Sequence, residues 1–396
     1  MENFKSSFFK LKNYCEQEDF AGWDPYDGLN SKFFQALPLK KWDIARLVWI
    51  QSFKRSPVNF RTLFAVPKTH NNMGLGLFLS GYCNLYKIAE SGNLDFGTKA
   101  ELLAHIKYLS KLILSYKSKG YSGSCWGYNF DWQARRLFLF PAGTPNVVVT
   151  AFCAEALFAA YEITKDKKLL DNALSASEFV SKDLGRTQVE GGFLFSYSPK
   201  DGNNTVYNAS LLGAKILLLN YKYTGNETLL NLIDHAIKAA INGQQEDGSW
   251  VYGLLPVQNW IDSFHTGFNL NALKLYVDIN DNDNIIDNIE NGLKFYLNNF
   301  FLEDGTPKYY HNKTYPIDIH CPGQLMITLH KLDIFANHKN LADRVLNWTI
   351  TNMQDKKGYF YYQLKKGWSS KIPYMRWSNA FMFNAMSCYL LEKNAK

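Results

Sequence analysis

The chain has 396 residues, of which 46% are hydrophobic and 20% charged, and its mean hydropathy is −0.26. This composition is typical of a globular protein with a sizeable core and excludes extensive disorder. No apolar run approaches the roughly 18 to 20 residues that span a bilayer, so no transmembrane segment is predicted. The net charge of +7 is carried mostly by dispersed Lys, with only eight Arg, which argues against a nucleic-acid partner and leaves a solvated basic surface or a polyanionic substrate.

Residues 1–40 are predicted to pack as an N-terminal extension on a single main domain, residues 41–396. The N-terminus lacks the continuous apolar core and small-residue cleavage site of a signal peptide, which predicts a cytoplasmic location. The six Cys are widely scattered and form no CxxC pair, so we expect free thiols and no structural zinc site.

From about residue 120 one unit recurs: a Gly/aromatic loop, an apolar helix, a short polar turn and an amphipathic helix. The loops lie at 122–132, 190–199, 246–253, 303–312 and 356–363. Their spacing suits two helices of about 18 residues plus a connecting loop. A repeat of this length predicts an array of helical pairs.

The two helices of each unit differ in their surface pattern. The first type is apolar nearly all round and occupies 74–90, 145–163, 206–223, 263–279 and 374–391; the second is amphipathic and occupies 102–117, 227–243 and 284–300. A helix without a polar face is buried on all sides, whereas an amphipathic helix lies outside. The first helix, 42–53, looks outer and the last looks inner, which favours ring closure. We predict an all-α fold, an (α/α)6 toroid of six inner and six outer helices, with short hairpin-like aromatic loops on the active face.

Aromatic residues make up 16% of the chain and cluster in these loops. Rings beside polar groups suit sugars or a flat hydrophobic partner. The loop side chains expected to contact substrate at the rim are Trp126, Trp250, Trp260 and Tyr309. Tyr252 and Tyr310 are rim residues that are candidates for acid catalysis, with packing or ligand stacking as the alternative.

Aligning the units by their turns brings polar residues to one level. Residues 265–279 match 320–334 without a gap, which places His265 over His320 and Asn269 over Gln324, while Asn208 takes the same level in the preceding unit. These positions lie near the N-terminal ends of inner helices, where unpaired N–H groups and the helix dipole favour an anion. The two His are candidate catalytic groups, with satisfied core histidines as the alternative.

Several charged residues lie close to this level. Asp262 and Asp318 precede the two His and are either catalytic carboxylates or helix caps. Asp131 and Arg135 share one loop, where they either pair or contact substrate. Arg376 is similar: it either binds a sugar carboxylate or forms a structural pair, and the structural pair is slightly favoured. The two His and the nearby Asp, Asn and Gln side chains could bind a metal ion, but the His–Asp spacing is not that of a metalloenzyme helix. No cofactor is therefore predicted, and a metal ion is the less favoured alternative.

The repeat resembles the (α/α)6-toroid proteins over about residues 40–393. The loop QQEDGSW, 244–250, is similar to the QW repeat of squalene–hopene cyclases and protein prenyltransferase β subunits. The segments WGYNFDW, TPNVVVT, IDSFHTGFN, YPIDIH and IPYMRW resemble more closely a group of bacterial surface-polysaccharide biosynthesis proteins. Isoprenoid chemistry is the less favoured branch, because the chain has no DxDD motif and the segment 318–321 has the wrong spacing for the prenyltransferase zinc ligands.

Toroid enzymes that act on acidic polysaccharides are often uronate lyases or C5-epimerases, so the resemblance implies proton abstraction from a uronic acid. Such chemistry needs the substrate carboxylate neutralised, a role for Asn208, Asn269 and Arg135. His265 or His320 then acts as the base, and Tyr252 or Tyr310 as the acid.

Three other functions remain open. A glycoside hydrolase would draw its carboxylate pair from Asp131, Asp262 and Asp318. A non-catalytic glycan-binding or scaffold protein fits the aromatic rim equally well, and an isoprenoid-related toroid enzyme is the last alternative. We favour an enzyme that acts on an acidic glycan, without predicting an oligomeric state.

Overall fold

The computed structural model describes residues 2–134, 138–200, 202–280 and 283–394. Within these ranges the chain forms fourteen α-helices and seven short strands. The helices alternate along the chain between an inner and an outer ring. The predicted (α/α)6 toroid is confirmed.

Six long helices form the inner ring. They are α4 (Asn72–Glu90), α6 (Val147–Thr164), α8 (Tyr207–Thr224), α10 (Ser263–Asn280), α12 (His320–Lys331) and α14 (Phe381–Asn394). Each packs against the next, and α14 packs against α4, which closes the ring. Because an outer helix returns the chain after each inner one, the inner helices run in the same direction and begin at one end of the ring, which we call the mouth.

Burial between neighbours explains why the inner helices have no polar face. Helix α6 is the one helix in the described part of the chain that is long and apolar enough to cross a membrane, with a mean hydropathy of 1.6 over its 18 residues. It contacts α4, α7 and α8, and 61% of its residues are buried within the protein. Its composition is therefore that of a core helix.

The outer ring is completed by the N-terminal helix. The outer helices are α5 (Lys99–Ser115), α7 (Lys167–Glu178), α9 (Leu230–Asn242), α11 (Ile286–Phe300), α13 (Lys339–Met353) and α1 (Glu2–Gln17). Helix α1 packs on α13 and α14, and its Glu16 accepts a hydrogen bond from Tyr82 and pairs with His105 of α5. The segment 42–53, which the sequence predicts to be an outer helix, does not belong to this ring.

That segment belongs to α3 (Asp43–Arg55), which packs with α2 (Lys32–Ala36) at the mouth. The two helices share a small core of their own, built on Leu29, Phe34 and Ile50. Arg46 of α3 donates a hydrogen bond to Gln133, which ties this α2–α3 unit to the loop before α6.

The loops that lead into the inner helices contain short antiparallel ladders, as the Gly/aromatic pattern predicted. The strands are β1 (Trp132–Gln133), β2 (Leu139–Phe140), β3 (Arg186–Val189), β4 (Gly192–Phe195), β5 (Ile317–Asp318), β6 (Gln363–Lys365) and β7 (Trp368–Ser370). Strand β1 pairs with β2, β3 with β4, and β6 lies between β5 and β7. The last sheet places Asp318 opposite Gln363, directly before α12.

Candidate functional site

Two histidines from neighbouring inner helices lie at the mouth. His265 is in the first turn of α10 and His320 begins α12. Both rings pack against Phe264, with ring centroids 4.1 Å apart for His265 and 5.0 Å apart for His320. The alignment of the repeats predicts that His265 and His320 lie at the same level. In the structure the two helices do begin at the same level, and the two imidazoles share Phe264 as a neighbour.

Asp262 orients the first of these rings. Its Oδ2 lies 2.7 Å from Nδ1 of His265 and accepts a hydrogen bond from the Trp260 indole at 3.0 Å. Because a carboxylate only accepts hydrogen bonds, Nδ1 of His265 carries the proton, which leaves the Nε2 lone pair available as a base. Asp262 Oδ1 accepts the backbone N–H of His265 at 3.0 Å. One buried carboxylate therefore caps the helix and fixes the tautomer.

The second histidine has a different environment. Asp318 Oδ1 accepts hydrogen bonds from the His320 backbone N–H at 3.0 Å and the Trp377 indole at 2.9 Å, while Oδ2 accepts one from Gln363 at 2.5 Å. The His320 Nδ1 lies 3.6 Å from Oδ1, beyond hydrogen-bond distance. Both ring nitrogens are buried without a hydrogen-bond partner in the described part of the chain.

Burial lowers the pKa of His320, and its carboxylate neighbour Asp318 offsets this only in part. The ring packs edge-on to Trp377 and Phe381, with centroids 4.2 and 3.9 Å away. A neutral imidazole with two unpartnered nitrogens is unusual in a protein interior. It is suited to exchanging a proton with a bound molecule.

Aromatic residues form one wall beside the histidines. Tyr252 stacks on Trp260 with centroids 4.5 Å apart and an interplanar angle of 13°, and its ring centroid lies 4.7 Å from that of His265. Tyr309 packs against Phe264 and Tyr310. Burial and the nearby Asp262 carboxylate raise the pKa values of Tyr252 and Tyr309. Both phenols are therefore protonated at neutral pH and suited to donating a proton or a hydrogen bond.

Open space lies next to this wall. A cavity of about 440 Å³ is lined by Trp260, Tyr310 and Lys313 among others. The Lys313 ammonium lies 4.4 Å from the centroid of the Tyr310 ring. The cavity combines stacking surfaces with a cation, a combination suited to an acidic sugar.

Amide side chains lie on the inner helices of the mouth. Asn208 is in the first turn of α8, and Asn269 and Gln324 follow one turn after the two histidines. All three are buried, and their amide oxygens have no hydrogen-bond partner among the described residues. Unpartnered buried amides are costly unless a ligand or water meets them.

Arg376 is held by a carboxylate from the N-terminal region. Its Nε and Nη2 donate hydrogen bonds to the two oxygens of Asp24 at 2.5 and 2.9 Å, and both side chains are buried. The guanidinium carbon lies 5.1 Å from the ring centroid of Tyr128 and 5.0 Å from that of Trp377. This bidentate pair neutralises the charge of Arg376, and it is the structural pairing that the sequence favours over binding of a sugar carboxylate.

Two of the expected rim aromatics belong to the core instead. Trp126 is fully buried and its indole N–H donates to the Ile113 carbonyl at 2.7 Å. Trp250 is likewise buried, with its indole N–H donating to the Ala240 carbonyl at 2.8 Å. Each indole closes the end of an outer helix, so neither reaches the mouth.

The remaining sequence candidates come from the loop before α6. The Asp131 carboxylate accepts a hydrogen bond from the Ala142 backbone N–H at 2.7 Å, which fixes the turn of the β1–β2 hairpin. No hydrogen bond, ion pair or ring contact among the described residues joins it to the two histidines. Arg135 lies outside the described residues.

Several mouth residues had no signal of their own in the sequence. Tyr128 and Tyr197 bring their hydroxyls within 3.1 Å of each other. Tyr26, from the N-terminal region, has its ring centroid 5.8 Å from that of Trp377. These residues come from separate loops and meet only through tertiary contacts, so no local pattern could have grouped them.

No group of three or more His, Cys, Asp or Glu within the described ranges is placed to hold a metal ion. The mouth thus offers two imidazoles, protonated phenols and buried amides as its chemical groups.

No protein-family model matches the sequence, and no curated protein matches it. Solved structures do share the fold. The cellobiose 2-epimerase from Bacillus thermoamylovorans B4167 superimposes with a TM-score of 0.67 at 12% identity, over 99% of this chain and 100% of that one.

Two further structures are similar. An unsaturated glucuronyl hydrolase specific for heparin gives a TM-score of 0.61 at 12% identity, over 100% of this chain and 97% of that one. A GH76 α-mannanase from Bacteroides thetaiotaomicron gives 0.61 at 13% identity, over 83% and 88%. At these identities the likeness is one of fold.

Proposed function

We propose that the protein is a carbohydrate-active enzyme that transfers a proton at carbon, as an epimerase or lyase of uronic-acid-containing glycans. The observation that carries this proposal is the Asp262–His265 pair beside the neutral, unpartnered ring of His320. A base with a fixed tautomer next to a second proton-exchanging group is what removal and return of a proton requires.

His265 is the proposed base. Its Nδ1 proton is held by Asp262, so Nε2 takes the proton from the sugar carbon and the resulting imidazolium is stabilised by the buried carboxylate. The neutral ring of His320 is the alternative base. The phenol of Tyr252 then supplies a proton, either to the opposite face of the carbon or to the leaving oxygen. The first course gives epimerisation and the second gives elimination.

A C–H bond next to a carboxylate loses its proton readily only when the developing charge is stabilised. The amides of Asn208 and Asn269 are the described groups proposed for this role, with Arg135 as the further candidate from the sequence. The cation at Lys313 and the net charge of +7 support an anionic substrate. Membership in a surface-polysaccharide pathway stays a prediction.

Hydrolysis is less well supported by the geometry. A glycoside hydrolase needs one carboxylic acid and one carboxylate free to reach the substrate. Both oxygens of Asp262 and both oxygens of Asp318 already accept hydrogen bonds from protein groups. These carboxylates are better suited to positioning the histidines.

The test is incubation of the purified protein with uronate-containing glycans in D₂O, followed by proton NMR and by the ultraviolet absorbance of unsaturated uronates. Deuterium at C5 without cleavage identifies an epimerase, and rising absorbance identifies a lyase. We expect His265→Ala and His320→Ala each to lower the rate on the order of 10²-fold or more. The control is His235→Ala, an exposed histidine on outer helix α9. Full activity in both mouth variants, or release of reducing ends without exchange, overturns the proposal.

A further inference from the structure

Helix α3 is apolar on two opposite faces. Its inner face buries Ile50 and Phe53. On the outer face the exposed residues Ile44, Val48, Ser52 and Arg55 follow one another at intervals of three or four, and therefore form one stripe along the helix surface. The stripe is apolar at Ile44 and Val48 and ends at the basic Arg55, and the exposed Lys41 lies in the turn just before the helix.

The exposure of this stripe is large and continues onto its flanks. Ile44 is 67% exposed and Val48 58%. Trp42, before the helix, is 65% exposed, and Leu63, in the following loop, is 74% exposed. Phe33 and Val58 from the same segment are also more than half exposed. Isolated exposed apolar residues are ordinary, but this many within the one segment 33–63 indicate a binding role, and we call them together the apolar surface.

Charges around the apolar surface are nearly all positive. Lys32, Lys40, Lys41 and Arg55 are exposed, and none of them takes part in an ion pair in the described part of the chain. The segment 32–63 has a single acidic residue, Asp43, which pairs with Arg46. An apolar patch with a basic rim therefore lacks the acidic groups that a second copy of itself would need for a complementary contact.

We propose that this surface docks on a membrane whose lipids carry anionic headgroups. Ile44, Val48 and Leu63 enter the headgroup–acyl boundary, and Trp42 takes the interfacial position that indole rings favour. The lysines contact the anionic headgroups, where each cation near the surface strengthens binding. The helix lies on the membrane and does not span it.

The position of this surface links it to the mouth. Lys54 of α3 contacts Tyr26, and its ammonium lies 4.1 Å from the centroid of that ring. Tyr26 packs against Trp377, which contacts His320. The α2–α3 unit thus has the mouth on one side and the apolar surface on the other, so docking holds the mouth close to glycans attached to lipid. Vesicle binding does not rest on the proposed reaction and is measured without it.

The experiment is cosedimentation of the full chain with vesicles of phosphatidylcholine alone or mixed with phosphatidylglycerol. We expect binding to the anionic vesicles that weakens with added salt, and little binding to the neutral ones. The double variant Ile44→Asp/Val48→Asp and the double variant Lys40→Glu/Lys41→Glu should each lower partitioning on the order of tenfold or more.

The matched control is Leu94→Asp, an exposed apolar residue in the α4–α5 loop, away from the mouth. It should bind anionic vesicles as the unmodified protein does. Thermal unfolding of each variant checks that the fold is intact, since every substituted side chain is exposed. Absence of binding to anionic vesicles, or equal binding by Ile44→Asp/Val48→Asp, overturns the proposal. The proposal is also overturned if the unmodified protein forms a concentration-dependent dimer and does not bind vesicles, and if this variant no longer forms the dimer.

Discussion

The carboxylate of Asp262 contacts His265 twice, through the ring Nδ1 at 2.7 Å and through the backbone N–H at 3.0 Å. The first contact fixes which ring nitrogen carries the proton, and the second caps helix α10. In the proposed mechanism catalysis depends on the charge of this side chain, whereas stability depends on its hydrogen-bonding oxygen, so substitutions can separate the two.

Asp262→Asn keeps a side chain that caps helices well but removes the charge that holds the His265 proton. We expect the C5 exchange rate to fall on the order of 10²- to 10⁴-fold, while the free energy of unfolding changes by only about 1 kcal/mol. The exchange rate is measured by NMR and the stability by urea unfolding. Asp166→Asn is the control, because Asp166 caps α7 through the Lys168 backbone N–H and has no histidine partner there. Unchanged exchange in Asp262→Asn would contradict the assigned role.

The lowered pKa of His320 predicts a pH dependence of stability. In the unfolded chain this imidazole binds a proton below its usual pKa of 6.5, whereas in the folded chain burial delays protonation to lower pH. Unfolding then takes up a proton, so stability should fall as the pH decreases through about 6.5 and be fully present above it. His320→Gln should show a shallower decline of Tm with acidification, and His235→Gln should follow the unmodified protein. Parallel curves for all three would show that His320 is not buried as described.

The buried pair of Asp24 and Arg376 should respond strongly to loss of one partner. Asp24→Asn leaves a buried guanidinium without a counter-charge, which we expect to cost about 3 to 5 kcal/mol. The double variant Asp24→Leu/Arg376→Met removes both charges and should cost clearly less than the sum of the costs of Asp24→Leu alone and Arg376→Met alone. Urea unfolding of the complete double-mutant cycle measures this coupling. Additive costs would mean that the pair does not form.

Gly267 allows α10 and α12 to approach closely. A Cβ at this position would lie 2.6 Å from Cγ of Gln324 and 2.8 Å from Oγ1 of Thr328. We expect Gly267→Ala to cost about 1 to 3 kcal/mol and to lower the exchange rate, because the helices that carry the two histidines must separate. Gly323→Ala is the matched control within α12, since its Cβ would meet nothing closer than 3.5 Å. If the two variants behave alike, close packing at Gly267 does not position the site.

The fold was predictable because the burial of a helix determines which of its faces are apolar. Inner helices such as α6 have no polar face, outer helices such as α9 have one, and their alternation identified the toroid. The level shared by His265 and His320 followed from the same repeat, because equivalent helices of a ring begin at equivalent heights.

Other features depend on tertiary contacts that the sequence repeat does not indicate. Asp24 and Arg376 are 352 residues apart, so their pairing could not be read from local spacing. Trp126 and Trp250 looked like rim residues because they follow Gly-rich turns. Their direction is decided by a backbone carbonyl on the preceding outer helix, which accepts the indole N–H. The sequence predicts an outer helix at 42–53, but α3 lies at the mouth, because it is apolar on two faces and packs with α2.

The position of α1 in the outer ring has a consequence for biosynthesis. Its Ser7 donates a hydrogen bond to Gln354, 347 residues later, and its Phe8 packs against Phe383 of the last inner helix. At ribosomal rates these partners emerge on the order of tens of seconds after α1. During that time α1 can contact only early partners such as Tyr82 and Phe96, and its face toward α13 and α14 stays exposed. We therefore expect the nascent chain to expose apolar surface until its final helix joins the first.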